Sequence, residues 1–553
     1  MQAVILAAGL GRRLGHLTQD NTKCMIKVNG VPLIDRMLAQ IEQRSFSRIV
    51  IVIGYEGQKL IQHIETLGIK TPIIYVTNPI YDQTNNIYSL YLAKEHLEED
   101  DAILFESDLI FEDAVLDKII SDPYPNLALV AKFQSWMDGT SLVLDENDRI
   151  ERFISPTNFK FEEIPNYFKT VNIYKFSKQF SVDYYVPFLS AYIKALGDNE
   201  YYEQVLKVIT YLDNPQIKAL RLGDEFWYEI DDVQDLDIAE SIFATKEDKL
   251  TKIETRFGGY WRYPKLIDFC YLVNPYFPNE KLKSEIKANF DILISEYPSG
   301  MRVNSLLAGK NFDLPQEYVL VGNGAAELIN SLLTNLKGTY GVIRPTFEEY
   351  PNRLSKENVI HFTPENNNFS YTANDVIAYF TDKAIDSLIL INPDNPSGNF
   401  IPYQDLIRIC DWAKEKKIWM IIDESFVDFS EESVENTLLH TEILNAYINL
   451  IVIKSISKSY GVPGLRLGIL ASSNAEIIDL TRKNISIWNI NSFAEFFLQI
   501  YGKYAKSYLE GCRKLADERN RFIAELQKVP YLRTIPSQAN YILCEVLSPY
   551  TSK

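Results

Sequence analysis

The sequence predicts an α/β protein of at least two domains, and three observations carry that expectation. The chain has 553 residues, more than one hydrophobic core ordinarily organises. In the first half, short apolar runs of strand length alternate with amphipathic helical stretches. That is the pattern of a doubly wound sheet, with ligands at the carboxyl ends of its strands. Near residue 250 the character of the chain changes. Glu247-Asp248-Lys249-Leu250-Thr251-Lys252-Ile253-Glu254 is charged, and Phe257-Gly258-Gly259-Tyr260-Trp261-Arg262 follows it. The stretch 247–254 reads as a linker between a first domain, 1–246, and a second, 255–553.

Composition narrows the class. Hydrophobic residues make up 46% and charged residues 24%, as in soluble globular proteins. The net charge of -18 excludes a general nucleic-acid or anionic-membrane surface, so an anionic substrate must be met by local arginines and lysines. Cys24, Cys270, Cys410, Cys512 and Cys544 are scattered without ligand spacing and fit reduced thiols. No charged n-region with a cleavage motif opens the chain, and no apolar run reaches the roughly 18 residues of a membrane span. A cytoplasmic enzyme is expected.

The first strand, Ala3 to Ala8, breaks into a loop with Gly9, Gly11, Arg12 and Arg13, followed by Lys23. A tight turn after a core strand is the plain reading of two glycines. With a strand, both glycines, an arginine and a lysine together, the loop reads as a phosphate cradle: backbone N–H groups of Ala7 to Gly11 approach a polyphosphate, and Arg13 and Lys23 neutralise it. A helix from Pro32 to about Glu42, a strand Ile49–Ile53, a helix Gln58–Leu67 and a strand Pro72–Val76 follow. In Asn78-Pro79-Ile80-Tyr81-Asp82-Gln83-Thr84-Asn85-Asn86-Ile87-Tyr88-Ser89-Leu90, two readings stay open for Thr84 and Asn85, helix cap or base contact. Ser89 reads as a ligand contact.

The strand ending Phe105-Glu106-Ser107-Asp108 puts a carboxylate where a magnesium ion bridging phosphates would sit. Glu229 and Asp231, in Trp227-Tyr228-Glu229-Ile230-Asp231-Asp232, share one side at alternate spacing and supply the remaining ligands. Asp232 or Asp235 reads as the cap of a helix from Val233 to Ala244. A phosphate or phosphonate oxygen would attack the α-phosphorus of a nucleoside triphosphate and release pyrophosphate, with orientation and charge stabilisation carrying the rate. For the second substrate, Trp136 offers a ring face to an ammonium and Asp138 a hydrogen-bonded charge, a combination suited to a primary amine. A core tryptophan beside a turn aspartate is the alternative. Tyrosines between Tyr167 and Tyr185 are candidates to complete the pocket.

The opening loop with Thr22-Lys23 resembles the signature loop of the sugar-nucleotide and phosphocholine-type nucleotidyltransferases, with Thr22 where a proline is usual. The run Asn85-Asn86-Ile87-Tyr88-Ser89-Leu90 is similar to that of phosphocholine cytidylyltransferase-like proteins. This resemblance covers roughly residues 1–245. It implies a Rossmann-like domain with a GT-A-like mixed sheet and CTP as the nucleotide.

The second half resembles fold-type I pyridoxal-phosphate enzymes, in the manner of histidinol-phosphate aminotransferase and threonine-phosphate decarboxylase. The motifs occur in family order: Gly322-Asn323-Gly324-Ala325-Ala326-Glu327, Pro345-Thr346-Phe347, Asn392-Pro393-Asp394-Asn395, Ile422-Asp423-Glu424, Ser455-Ile456-Ser457-Lys458 and Gly464-Leu465-Arg466. The resemblance implies an α/β/α domain that binds pyridoxal 5'-phosphate. Its phosphate would lie on Gly324, Ala325, Ala326, Ser455, Ser457 and Arg466, its ring on Phe347, its hydroxyl at Asn395 and its ring nitrogen at Asp423, with Lys458 bonding the cofactor. Phe426 stands where the family often has a hydrogen-bonding tyrosine. After Asn540-Tyr541 the chain runs only to Lys553, so an incomplete small domain is expected. Fold-type I domains usually dimerise, which implies a homodimer.

Together the halves are similar to bifunctional 2-aminoethylphosphonate cytidylyltransferases. The resemblance implies activation of a small aminoalkyl phosphonate or phosphate as its CMP ester, beside an aminotransferase- or decarboxylase-like module. A phosphoethanolamine or phosphocholine cytidylyltransferase with a non-catalytic dimerisation module is the alternative.

Overall fold

Strands with β-branched residues on both faces can only be stable if both faces are covered. The strand Ile49–Ile53 is such a case, buried at every position. Its alternate residues serve two cores: Ile49, Ile51 and Ile53 pack with Met37 and Ile41 of the helix Leu33–Glu42, and Val50 and Val52 pack with Leu90 and Leu97. The computed structural model describes residues 1–154, 158–212, 217–431 and 436–552. By contacts the chain divides into two units, Met1–Ile267 and Asp268–Lys553.

The sheet of the first unit is mixed. Gln2–Ala7 pairs in parallel with Ile49–Ile53 and with Ala102–Glu106, and Ala102–Glu106 pairs antiparallel with the long strand Phe168–Phe176. Leu6 lies in register with Glu106, so the loop after Ala7 and the turn after Glu106 leave the sheet side by side. The small ladder of Leu109–Phe111 with Trp227–Glu229 brings the distant acidic segment to the same edge.

The stretch 247–254 is not a free linker. It forms the helix Lys246–Glu254, capped by Thr245, whose hydroxyl accepts from the Asp248 N–H. Lys252 meets Glu240, Arg256 pairs with Asp237 and Arg262 with Asp235, which ties the chain to the first unit as far as Ile267. Its charge marks the solvated face of a helix.

In the second unit, seven strands run in the order Val319–Asn323, Leu467–Ala471, Leu450–Ser455, Trp419–Asp423, Ser387–Ile391, Tyr340–Ile343 and Val359–Phe362. All neighbours are parallel except on either side of Leu467–Ala471. Asp423 therefore sits at a strand's carboxyl end, and Lys458 lies in the short helix Ile456–Ser459 that follows the adjacent strand. A 22-residue helix, Ala505–Leu526, and a two-stranded ladder, Leu532–Thr534 with Cys544–Val546, form the C-terminal part. None of the five cysteines is paired, and among the described residues no helix is long and apolar enough to cross a membrane.

Candidate active sites

In the first unit the loop and the acidic segments converge. Lys23 Nζ lies 2.5 Å from Asp108 Oδ2 and 2.8 Å from Asp231 Oδ1, and Arg13 reaches the same Asp231 oxygen at 2.7 Å. One oxygen each of Asp108, Glu229 and Asp231 lie within 4.8 Å of one another. Asp108 Oδ1 is buried and has no hydrogen-bond partner among the described residues. Oxygen-only donors, one of them orphaned, suit a hard divalent cation. Gly11 has φ 61°, the left-handed region, and a Cβ there would lie 3.0 Å from Thr18 and 3.3 Å from Lys23, so only glycine keeps the loop tight on the lysine.

Two residues absent from the sequence reading complete this edge. Lys169, fully buried, holds Glu229 Oε2 at 3.0 Å, and Asn172 donates to Glu229 Oε1 at 2.9 Å. Asn172 has φ 61° at a register shift in its strand, which turns its amide toward the carboxylate. Neither residue has a sequence signal beyond its type.

Electrostatics follow from burial. Desolvation pulls the Lys23 ammonium down, but Asp108 and Asp231 outweigh it and leave the pKa raised. Against desolvation, Lys23 and Arg13 hold Asp231 low. Glu229 is pushed up to about 7 by desolvation and by repulsion from Asp108 and Asp231, with Lys169 opposing. The cations and carboxylates thus neutralise one another.

Two clefts open on this cluster. One of about 440 Å³ is lined by Ala8, Gly9, Gly11, Asn85 and Ser89; a larger one, about 960 Å³, is lined by Phe133, Ser135, Asp138, Phe159, Tyr201 and Glu203. Arg13, Lys23, Asn86, Glu106, Asp108 and Asp231 line both. Ala7 ends its strand just short of the first cleft. Asn85 accepts from the Asn86 N–H as the cap of the helix Asn86–Leu92, and Ser89 accepts from Asn78. Asp232 caps the helix Val233–Ile242.

The proposed amine contacts are placed differently from expectation. The guanidinium of Arg262 lies 5.3 Å above the Trp136 ring, and Asp138 is paired with Arg13 at 3.1 Å. Of the tyrosines from 167 to 185, Tyr167, Tyr174 and Tyr185 are buried and Tyr184 is half-buried; the tyrosines at the clefts are Tyr81, on the smaller, and Tyr201, on both. Glu203 is buried at the cleft wall. Its Oε1 accepts from Tyr174 at 3.3 Å, and its Oε2 has no partner among the described residues. Glu106 is held well above the carboxylate range by desolvation and by Asp108 and Glu203.

In the second unit Lys458 Nζ lies 5.0 Å from the Phe347 ring and 4.3 Å from the Phe426 ring. Desolvation lowers its pKa, opposed by Asp423. Asp423 is fixed by Tyr350, whose hydroxyl donates to Oδ2 at 2.7 Å, and by the Ser425 N–H. A Cβ on Gly324 would stand 2.7 Å from the Arg466 guanidinium, and one on Gly468 would strike the Ala325 backbone. These glycines let the turn carrying Arg466 close on the N-terminus of the helix Ala325–Asn335, which opens at Ala325 and Ala326. Ser457 Oγ is tied to the backbone of Leu467, Ser455 ends the strand beside it, and Asn395 is half-buried in its turn. A glycine-walled cradle with an arginine, an aromatic face, a carboxylate and a desolvated lysine fits pyridoxal phosphate.

Comparison with known proteins finds a match in each half. Residues 3–139 match the MobA-like NTP transferase domain and residues 303–553 match aminotransferase class I and II. The chain is 29% identical over 550 residues to the CMP-5'-(3-aminopropyl)phosphonate synthase of Streptomyces rubellomurinus, covering 99% of this chain and 86% of that protein. It is 31% identical over 297 residues to the L-serine phosphate decarboxylase of Campylobacter jejuni, covering 52% of this chain and 76% of that one. A solved decarboxylase from Sulfurospirillum multivorans matches with a TM-score of 0.47 at 27% identity, over 52% of this chain and 75% of its own. The chain is an enzyme that joins a MobA-like nucleotidyltransferase domain to a pyridoxal-phosphate domain, and through that second domain it belongs to the class I and II aminotransferases.

Proposed function

We propose that the first unit transfers a cytidylyl group from CTP to a small aminoalkyl phosphonate or phosphate, with release of pyrophosphate. The observation that carries the reading is the cluster of Asp108 and Asp231, which line both clefts, with Glu229, which lines the larger, and Arg13 and Lys23 bound into it. Asp108, Glu229 and Asp231 would hold magnesium, with the triphosphate along the loop from Ala8 to Gly11 and the acceptor in the larger cleft. Arg13 and Lys23 would shift from their carboxylates to the phosphates, and Lys169 would face the acceptor's oxygens. Similarity to a CMP-aminopropylphosphonate synthase over nearly the whole chain supports cytidine and an aminoalkyl phosphonate. The buried Glu203, with one oxygen unpartnered, and Glu106 beside it on the larger cleft give an ammonium with N–H bonds somewhere to go. A quaternary ammonium offers them no donor. Trp136 is a weaker choice for that contact, because Arg262 already covers one of its faces.

In the second unit Lys458, Asp423, Phe347, Asn395 and the Arg466–Ala325 cradle would hold pyridoxal phosphate, which supplies an electron sink for bonds at an amino-bearing carbon. Asp423 would keep the ring nitrogen protonated, Tyr350 fixes Asp423, and Lys458 would exchange a proton at its Nζ. The relatives point to transamination or decarboxylation of a small amino acid bearing a phosphate or phosphonate. Exposed Phe269, Tyr271, Ile292, Tyr297 and Trp488 support a homodimer through this unit.

The test is pyrophosphate release with CTP and magnesium, offering 2-aminoethylphosphonate, 3-aminopropylphosphonate, phosphoethanolamine, phosphocholine and glucose-1-phosphate in parallel. A preference for the primary amines supports the reading, and release only with the sugar phosphate overturns it. Lys458→Ala abolishes covalent cofactor retention, read by absorbance, while leaving pyrophosphate release in place.

A further inference from the structure

The chain beyond the helix Lys246–Glu254 inverts the usual placement of side chains. Gly258 and Gly259 have φ 146° and 71°, and the turn they make leads into Tyr260–Arg262. There Trp261 is 76% exposed, while the neighbouring Arg262 is 8% exposed. Burying a guanidinium and exposing an indole costs free energy unless the arginine has work inside. Its contacts show what that work is. Arg262 donates to the Tyr228 hydroxyl at 2.6 Å and to Asp235 Oδ1 at 3.1 Å, and it stacks over Trp136. The other oxygen of Asp235 accepts the backbone N–H groups of Asp231 and Asp232 at 3.2 and 3.3 Å. Tyr228 lies next to Glu229 on the strand Trp227–Glu229. Trp136 lies two residues before Asp138, the partner of Arg13.

We propose that Arg262, on the segment that leads out of the nucleotidyltransferase unit, is a positioning residue of its active site. Through Asp235 it fixes the turn that presents Asp231, through Tyr228 the strand that presents Glu229, and through Trp136 the loop that pairs with Arg13. The connecting segment is then a working part of the transferase and not a spacer. Residues that orient metal-binding carboxylates typically cost 10–100-fold in metal affinity or activity when removed.

The inference rests on the cytidylyltransferase reading, and its test separates the two. Magnesium–CTP binding to the full-length protein is measured calorimetrically, which requires no acceptor. Turnover is then measured with 2-aminoethylphosphonate across magnesium concentrations. Arg262→Ala should raise the magnesium half-saturation and lower turnover by about 10–100-fold. Guanidinium ion at tens of millimolar should restore much of the loss, and Arg262→Lys should restore part. A structural defect would respond to neither. Unchanged magnesium dependence in Arg262→Ala, or a loss that neither guanidinium nor lysine repairs, overturns the proposal. If Arg262→Ala does not fold, Asp235→Asn carries the test: the same rise in magnesium half-saturation supports it and wild-type behaviour overturns it. A wild-type protein that binds magnesium–CTP but turns over no aminoalkyl acid refutes the acceptor assignment alone, and the binding data still decide on Arg262.

Discussion

The two proposed sites of this chain would meet anionic ligands by opposite means. In the first unit the charges are side chains that satisfy one another: Lys23 between Asp108 and Asp231, Arg13 on Asp231, Lys169 on Glu229. In the second unit the proposed phosphate cradle is mostly backbone, closed by glycines around one arginine, and Lys458 lies beside two phenylalanine rings. The difference follows the chemistry. A site that must gather a metal and a polyphosphate keeps mobile charges paired until they arrive. A site whose chemistry resides in a cofactor has to hold a rigid shape and keep one amine desolvated.

That contrast predicts unequal sensitivity to the same kind of change. Asp108→Ala should break the first site most severely, because it removes a proposed metal ligand and frees one side of Lys23. We expect pyrophosphate release to fall by about 10²–10³-fold, with cofactor absorbance of the second unit unchanged. Loss of both together would show that the two sites are not separate. The matching change in the second unit is Gly324→Ala, which removes no functional group. Gly324 has φ 73°, and its new Cβ would meet the Arg466 guanidinium. Strain and displaced arginine together should weaken pyridoxal-phosphate binding by about 10-fold, by titration of the stripped protein, with cytidylyl transfer intact.

Charge pairing also makes the first site sensitive to pH. Glu229 holds its proton up to about 7 because it is desolvated beside two other carboxylates. A magnesium ion held by Glu229 would have to displace that proton, so its half-saturation should rise as pH falls below about 7, by at most about tenfold per unit, and level off above. The sign for stability is the reverse. In the metal-free protein the ionised form of Glu229 is disfavoured in the folded state. Stability contributed by the neutral form is present at low pH and lost as pH rises from the ordinary value of 4.5 through about 7. Melting of the first unit with and without magnesium checks both, and a metal-free melting temperature that rises over that window would contradict the placement of Glu229.

How legible each site was in the sequence tracks the same contrast. The strand–loop edge of the first unit was readable because apolar runs end in glycines and carboxylates, and Asp108, Glu229 and Asp231 do meet. The dispersed motifs of the second unit were readable by their order, and Lys458, Phe347 and Asp423 come together. What stayed hidden were contacts made by residue types without a pattern. Lys169 depends on its burial, Asn172 on a strand irregularity, Glu203 on which face of its helix is buried, and Arg262 on a glycine turn in a stretch read as the start of the second domain. Composition read 247–254 as a linker because a solvated helix and a linker carry the same charges.

The smallest expected effect is the one on which the two units should agree. Asp232 stands beside the proposed metal ligand Asp231, yet its carboxylate accepts the N–H groups of Gln234 and Asp235 in a capping box for the helix Val233–Ile242. In the second unit Thr372 and Asp375 make the same reciprocal arrangement for the helix Ala373–Phe380. Replacing either cap by alanine should cost about 1 kcal/mol in its own unit. Asp232→Ala should therefore match Thr372→Ala in denaturant unfolding and leave magnesium half-saturation where it was. Asp231→Ala should do the opposite, losing magnesium with a small change in stability. If Asp232→Ala instead shifts the magnesium dependence as Asp231→Ala does, the metal set extends one residue further than the geometry assigns, and the helix cap is a ligand as well.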